Sequence, residues 1–214
     1  MYNEIGDIME KYCTKCVYST LPKHHIEYKE NDVIFLEGDI LENAFLIESG
    51  LVKVSKLFLN GEERIFDILG PDEFLALVAI LRNDDSYVAS ATCLTSVTLG
   101  KVSKTDVLEA YNSSSKFKDV CLSCIVTRTN LFQNHLYQSS NVDKEDKIMS
   151  VFEYLAKKFG KKIDGKHVLD LPFSKTNLAN IIGIRRETLS RKLSKMQKEN
   201  ILEINKNKYI FTRM

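Results

Sequence analysis

The sequence predicts an α+β protein: an N-terminal β-roll of the double-stranded jelly-roll type, a long central helix and a C-terminal winged helix-turn-helix. Three observations carry this. Short β-type runs fill residues 26–102, punctuated by glycines at 38, 50, 61 and 70. An uninterrupted helical pattern follows from about Ser115 to Gln138. Two short helices between Ser174 and Lys198 then meet at Gly183, with an alternating hairpin from Ile201 to Phe211 behind them. At 214 residues and 44% hydrophobic, the chain has material for one good core or two modest ones.

The elements follow in order. Residues 1–25 form a helical segment in which Ile5, Ile8 and Met9 share one face. The roll spans residues 26–104, and Asn60-Gly61 is a strong hairpin signal. Within it, Phe74 to Leu81 suits a buried strand or a short helix equally well. Residues 105–140 form a linker and the long helix. Leu122, Ile125, Thr129, Phe132 and Leu136 recur on it at alternating three- and four-residue steps, as in a coiled coil. Phe117, Cys121, Cys124 and Leu131 make a second stripe. One buried face serves one domain, so the first stripe is expected to meet a second copy of the chain. A helix wedged within a single chain is the alternative.

Residues 141–214 form the last domain, entered through a polar hinge at Ser139-Ser140-Asn141. Asp143 to Phe159 is amphipathic, with Ile148, Val151, Phe152 and Leu155 inward. Lys161 to Lys166 reads as a basic turn, and Val168 to Pro172 as a short strand. In the helix pair Ser174 is the N-cap of the first helix, and Gly183 supplies the left-handed turn between the two. Leu189, Leu193 and Met196 anchor the second helix. At ~100° per residue, Arg186, Glu187, Ser190 and Arg191 fall within about 140° of arc on its outer face. That is where a recognition helix meets base edges: Arg pairs bidentately with guanine, and Glu accepts from the cytosine amino group. Ser174, Lys175, Thr176, Arg185, Lys192 and the hairpin-tip lysines Lys206 and Lys208 are placed for phosphates.

Net charge is +1, but unevenly spread. From Asn141 onward there are 17 Lys and Arg against 9 Asp and Glu; before it there are 13 against 20. A basic module joined to an acidic one fits a polyanion binder with a separate controlling domain. Residues 1–10 lack a signal-peptide pattern and the longest apolar run, Phe74 to Leu81, is too short to span a bilayer, so a cytoplasmic protein without a membrane partner is expected.

These residues together resemble the CRP/FNR family of bacterial transcription regulators. The resemblance rests on Glu37-Gly38-Asp39, on Phe45 to Val54 (FLIESGLVKV), on Asn60-Gly61-Glu62 and on Leu69-Gly70-Pro71. Most specific is Ile182 to Arg191, IGIRRETLSR. It implies a sensor roll, a dimerising helix and a winged helix-turn-helix that binds a palindromic operator as a homodimer, with RNA polymerase as a further partner if the protein is an activator. Arg186, Glu187 and Arg191 stand where the family reads a half-site with a TGA-type core. Ser190 matches the FNR-like branch and Arg186 the catabolite-activator branch, leaving the half-site open. Arg185 replaces the usual Ser or Thr cap.

The departure from the family lies in the effector pocket, for which Phe74, Leu75, Ala76, Leu77, Tyr87 and Val88 are the candidates. Cyclic-nucleotide binders carry Gly-Glu and Arg-Ser or Arg-Thr, the Glu on the ribose and the Arg on the phosphate. Here Ala76-Leu77 and Tyr87-Val88 stand in those places. A buried phosphate without a cation is very costly, so cyclic AMP is not the expected effector. Packed side chains or an apolar ligand fill such a roll.

Cys13, Cys16, Cys121 and Cys124 form two CxxC pairs, open to zinc, an iron–sulfur cluster, a redox disulfide or simple core packing. A cluster of the FNR kind is not carried over, because its roll cysteine corresponds to Gly100. His24, His25 and His135 are weak candidates for haem. No enzyme is expected. The roll residues 26–102 contain no histidine for a cupin metal site, and no nucleophile-elbow, P-loop or dinucleotide motif occurs. A ligand-binding module that does not touch DNA is the remaining rival, and it leaves the basic C-terminal domain unexplained.

Overall fold

In a computed structural model, residues 21–139 and 143–212 are described, 134–139 by backbone alone. The helical segment expected at 1–25, including Cys13 and Cys16, lies almost wholly outside the described residues, as does most of the 139–141 hinge. The chain forms two compact units, one chiefly the roll and most of the long helix, the other chiefly the C-terminal helices and their sheet.

The first unit is built on two four-stranded antiparallel sheets. One has the order β1 (His24–Tyr28), β8 (Val97–Ser103), β3 (Asn43–Ser49), β6 (Phe74–Leu75). The other has β2 (Val33–Phe35), β7 (Ser90–Cys93), β4 (Val52–Leu57), β5 (Glu63–Leu69). Ala44, Ile47, Val52, Ala91, Cys93 and Leu99 lose all solvent contact, which is the main drive for closing the roll. Gly50 shows why a glycine ends β3: its φ is 85°, and a Cβ there would collide with the Ser96 carbonyl oxygen. The Asn60-Gly61 signal gives a hairpin turn, in which Gly61 N–H donates to Phe58 O at 2.9 Å and Asn60 Oδ1 accepts from Glu62 N–H at 3.0 Å.

The open question at Phe74 to Leu81 resolves into both alternatives. Strand β6 ends at Leu75 and helix α1 (Leu77–Leu81) begins two residues later, with Ala76 between them in the left-handed region at φ 63°. Helix α2 (Lys104–Ser113) is capped by Ser103, whose hydroxyl oxygen accepts from Asp106 N–H. The polar run Asn112 to Ser115 then breaks the helical path, and Ser114 Oγ accepts from Phe117 N–H at 3.2 Å to start α3 (Ser115–Ser139). Phe117, Val120 and Cys121 of α3 are buried in the core.

In the second unit, α4 (Lys144–Phe159) is capped by Asp143, with acids in its first turn and Lys157 and Lys158 in its last, as the helix dipole favours. The basic turn expected at 161–166 is in fact a hairpin of β9 (Lys161–Ile163) and β10 (Lys166–Asp170). Asp164-Gly165 closes it, both with positive φ, a two-residue hairpin dipeptide that the reading as a basic turn passed over. Helices α5 (Lys175–Ile182) and α6 (Arg186–Lys198) follow, then β11 (Leu202–Asn205) and β12 (Lys208–Phe211). The sheet order is β11-β12-β10-β9, so the hairpin after α6 is anchored as a wing. Phe152 packs on Tyr209 with ring centroids 4.9 Å apart and on Phe211 at 5.9 Å.

Candidate nucleic-acid interface

The turn between α5 and α6 is fixed before any ligand arrives. Ser174 Oγ accepts from Asn177 N–H at 3.2 Å, starting α5. Gly183 ends it at φ 75° and ψ 41°, donating its N–H to Ala179 O at 2.8 Å. Leu178, Ala179, Ile181 and Ile182 of α5 and Leu189, Leu193 and Met196 of α6 are buried, so the inner faces fix the rotation of both helices. The outer face of α6 follows from that rotation.

Arg186, Glu187 and Arg191 are exposed on that face and Ser190 is half-buried beside them. Among the described residues, none bonds to the side chains of Arg185, Arg186, Glu187 or Arg191. A shallow depression at this end of the helix is lined by Arg185, Glu187, Thr188 and Arg191. Arg185 occupies the N-cap position without a side-chain cap bond, leaving the first-turn amides of α6 open to an anion. The arrangement presents two guanidinium groups and one carboxylate on one exposed helix face, side-chain types that can bond to base edges in a major groove.

The expected phosphate contacts divide into two groups. Lys175, Thr176, Lys206 and Lys208 are exposed, the last two at the wing tip, where Lys206 takes φ 56°. Ser174 is exposed too; its oxygen is engaged as the cap while its O–H remains able to donate. Lys192 differs. Its ammonium lies 2.8 Å from Glu145 Oε1, and Lys195 reaches the same oxygen at 2.9 Å. Hydrogen bonds from Lys192 and then Lys195 hold the Glu145 carboxyl below the usual range. Sequence reasoning missed Glu145 because an acid in a helix first turn already has a sufficient explanation in the helix dipole.

On α3, Leu122 is 61% exposed, Ile125 39% and Phe132 62%. Thr129 is exposed as well and returns its hydroxyl to Ile125 O at 2.9 Å. The side chain of Leu136 lies outside the described residues. In the second stripe Phe117 and Cys121 are buried and Cys124 partly so. One stripe is thus spent on the core of its own chain, and the coiled-coil stripe is left open.

The candidate effector residues are mostly core. Phe74, Leu75, Leu77 and Tyr87 are no more than 5% exposed, whereas Val88 is 44% exposed and does not face inward with them. Tyr87 stacks on Phe35 at 3.8 Å and donates its hydroxyl to Asn43 O at 2.8 Å; burial raises its pKa. Arg82 pairs with Asp84 at 3.1 Å. Arg128 of α3 donates to the Phe74 carbonyl oxygen at 2.9 Å, a link across the fold that no local pattern announces.

Burial pushes the Cys93 thiol up to about 11 and the Cys121 thiol to about 12, and raises Cys124 as well. They are protonated at neutral pH and so poor ligands and nucleophiles as they stand. Among the described residues no group of three or more His, Cys, Asp or Glu is gathered to hold a metal, and no helix is long and apolar enough to cross a membrane.

A two-sheet roll, a long helix and a winged helix-turn-helix with a free reading face define a DNA-binding regulator with a sensor-type domain. Residues 25–114 match the cyclic nucleotide-binding domain and residues 147–214 the Crp-like helix-turn-helix domain, together well over half of the chain. The chain belongs to the CRP/FNR family of transcription regulators. It is 25% identical over 191 residues to the global nitrogen regulator of Synechococcus elongatus, covering 88% of this chain and 85% of that one. It is 21% identical over 169 residues to a CRP-like cAMP-activated global transcriptional regulator of Mycobacterium tuberculosis, covering 79% and 75%. FixK2 from Bradyrhizobium japonicum shares the fold with a TM-score of 0.78 at 17% identity, over 91% of this chain and 94% of that one.

Proposed function

We propose that this CRP/FNR-type DNA-binding transcription regulator works as a homodimer on a palindromic operator, in the cytoplasm, and that cyclic AMP does not control it. The observation that carries the dimer is the open stripe of Leu122, Ile125, Thr129 and Phe132 on α3. Exposed large apolar residues at coiled-coil spacing are costly in water and are relieved by a second identical stripe. Two-fold pairing then gives two copies of α6, and Arg186, Glu187, Ser190 and Arg191 of each read one half-site. Ser174, Lys175, Thr176, Arg185, Lys206 and Lys208 supply the phosphate contacts around it.

Leu77 and Tyr87 are packed where nucleotide-binding relatives carry the ribose acceptor and the phosphate cation, and Arg82 is already paired. The M. tuberculosis relative is cAMP-activated by its description, so homology alone does not decide the point. The test is sedimentation and operator binding with and without micromolar cyclic AMP. A dimer whose affinity ignores the nucleotide supports the reading; a monomer, or a shift in affinity, refutes the corresponding half of it.

A further inference from the structure

Five cations stand on α6: Arg186, Arg191, Lys192, Lys195 and Lys198. Two of them, Lys192 and Lys195, converge on one oxygen of Glu145 in the first turn of α4, at 2.8 and 2.9 Å. Lys195 is also 3.6 Å from Glu199. The Lys192 and Glu145 side chains are only 24% and 19% exposed, whereas Lys195 is 53% exposed, so the first pair is nested and the second lies at the surface. On the helical wheel, at ~100° per residue, Lys195 lies about 40° beyond Arg191 at the edge of the reading face, and Lys192 about 60° further round toward the buried side.

We infer that Glu145 is a specificity-determining residue: it withholds two recognition-helix lysines from phosphates and so lowers affinity for DNA of any sequence more than affinity for the operator. The inference rests on the DNA-reading role of α6. Affinity for arbitrary DNA comes almost wholly from cations on phosphates, each displacing condensed counterions. Base readout by Arg186, Glu187 and Arg191 does not use the withheld charges. A carboxylate that neutralises Lys192 and Lys195 therefore subtracts from the sequence-blind part of binding and leaves the sequence-dependent part intact. Without it, two ammonium groups a few ångströms apart repel each other; Glu199, 3.6 Å from Lys195, offsets part of that repulsion, and Lys192 is left to the DNA backbone. Glu145 touches no base and acts through the lysines, as a positioning residue.

The experiment measures full-length protein by fluorescence anisotropy over a salt series. The probes are a random-sequence duplex and the tightest duplex recovered by selection from random DNA. For Glu145→Gln, the slope of log affinity against log salt on the random duplex should steepen by about 0.9 for each freed lysine. Random-duplex affinity should rise about tenfold at low salt, with a lower operator-to-random ratio. The triple variant E145Q/K192Q/K195Q should return the slope to the wild-type value. An unchanged slope in Glu145→Gln overturns the inference. So does a parallel weakening on both duplexes, which indicates a merely structural contact. If Glu145→Gln folds poorly, the triple variant still decides: a slope shallower than wild type means the lysines already contact phosphates, and the inference fails. A wild-type protein without salt-dependent binding to either duplex would overturn the DNA-reading role itself, a failure seen before any variant is made.

Discussion

The recognition helix and the roll cassette handle polar chemistry in opposite ways. Helix α6 buries Leu189, Leu193 and Met196 and leaves Arg186, Glu187 and Arg191 exposed and unpaired. The cassette buries Phe74, Leu75, Leu77 and Tyr87; of the cations near it, Arg128 is engaged by the Phe74 carbonyl oxygen and Arg82 is 63% exposed and paired to Asp84. Both belong to a family fold, and they use their side chains differently, one for exposed charge and the other for apolar burial. A reading surface tolerates charge because water solvates it until DNA arrives. A closed cassette gains stability by filling with apolar side chains.

The largest expected effect follows from that filling. Leu77→Ala removes a side chain 1% exposed and should destabilise the protein by ~2–5 kcal/mol in chemical denaturation. A loss below about 0.5 kcal/mol would mean that the cassette is a loose pocket, and the contrast with α6 would blur. Next is the open stripe on α3. Phe132→Glu places a charge in the proposed seam and should lower operator affinity by about 100-fold, with a monomer in sedimentation. Retention of the dimer would put the interface elsewhere.

Smaller effects sharpen the reading face. Arg191→Ala should cost ~1–3 kcal/mol on the operator and relax one base position, whereas Lys208→Ala should weaken all sequences alike and lower the salt slope by about 1. Equal, sequence-blind losses from both would remove the distinction between reading helix and wing. The smallest effect is at Ala76, a non-glycine residue at φ 63°. Ala76→Gly should stabilise by about 0.5–1 kcal/mol, since glycine adopts this conformation without a Cβ penalty. Destabilisation would show that the Ala76 methyl packs usefully in the cassette.

Much of this was legible from residue patterns because it depends on local rules. Gly183 needs left-handed backbone, Ser174 needs an amide to cap, and the period of Leu189, Leu193 and Met196 sets the rotation of α6. The two stripes on α3 were legible too: Phe117 and Cys121 turn to the core, and Leu122, Ile125 and Phe132 are exposed. What escaped were interactions between residues far apart in the chain. Glu145 looked fully explained by its own helix, and nothing near it in sequence points to Lys192. Arg128 reaches the Phe74 carbonyl across 54 positions. Of the hairpin at 161–170 only the second strand was read: Lys161–Ile163 is too short and too basic to show apolar alternation, and its lysines drew attention from the Asp164-Gly165 turn.

The central claim is that two copies of α6, related by two-fold symmetry, read one operator without a cyclic nucleotide. Selection of bound sequences from random DNA by the full-length protein, with no nucleotide added, tests this most directly. The expected result is an inverted repeat whose half-sites are centred about one helical turn apart, ~10–10.5 base pairs. Enrichment of single, unpaired half-sites, or of nothing until cyclic AMP is supplied, would contradict it.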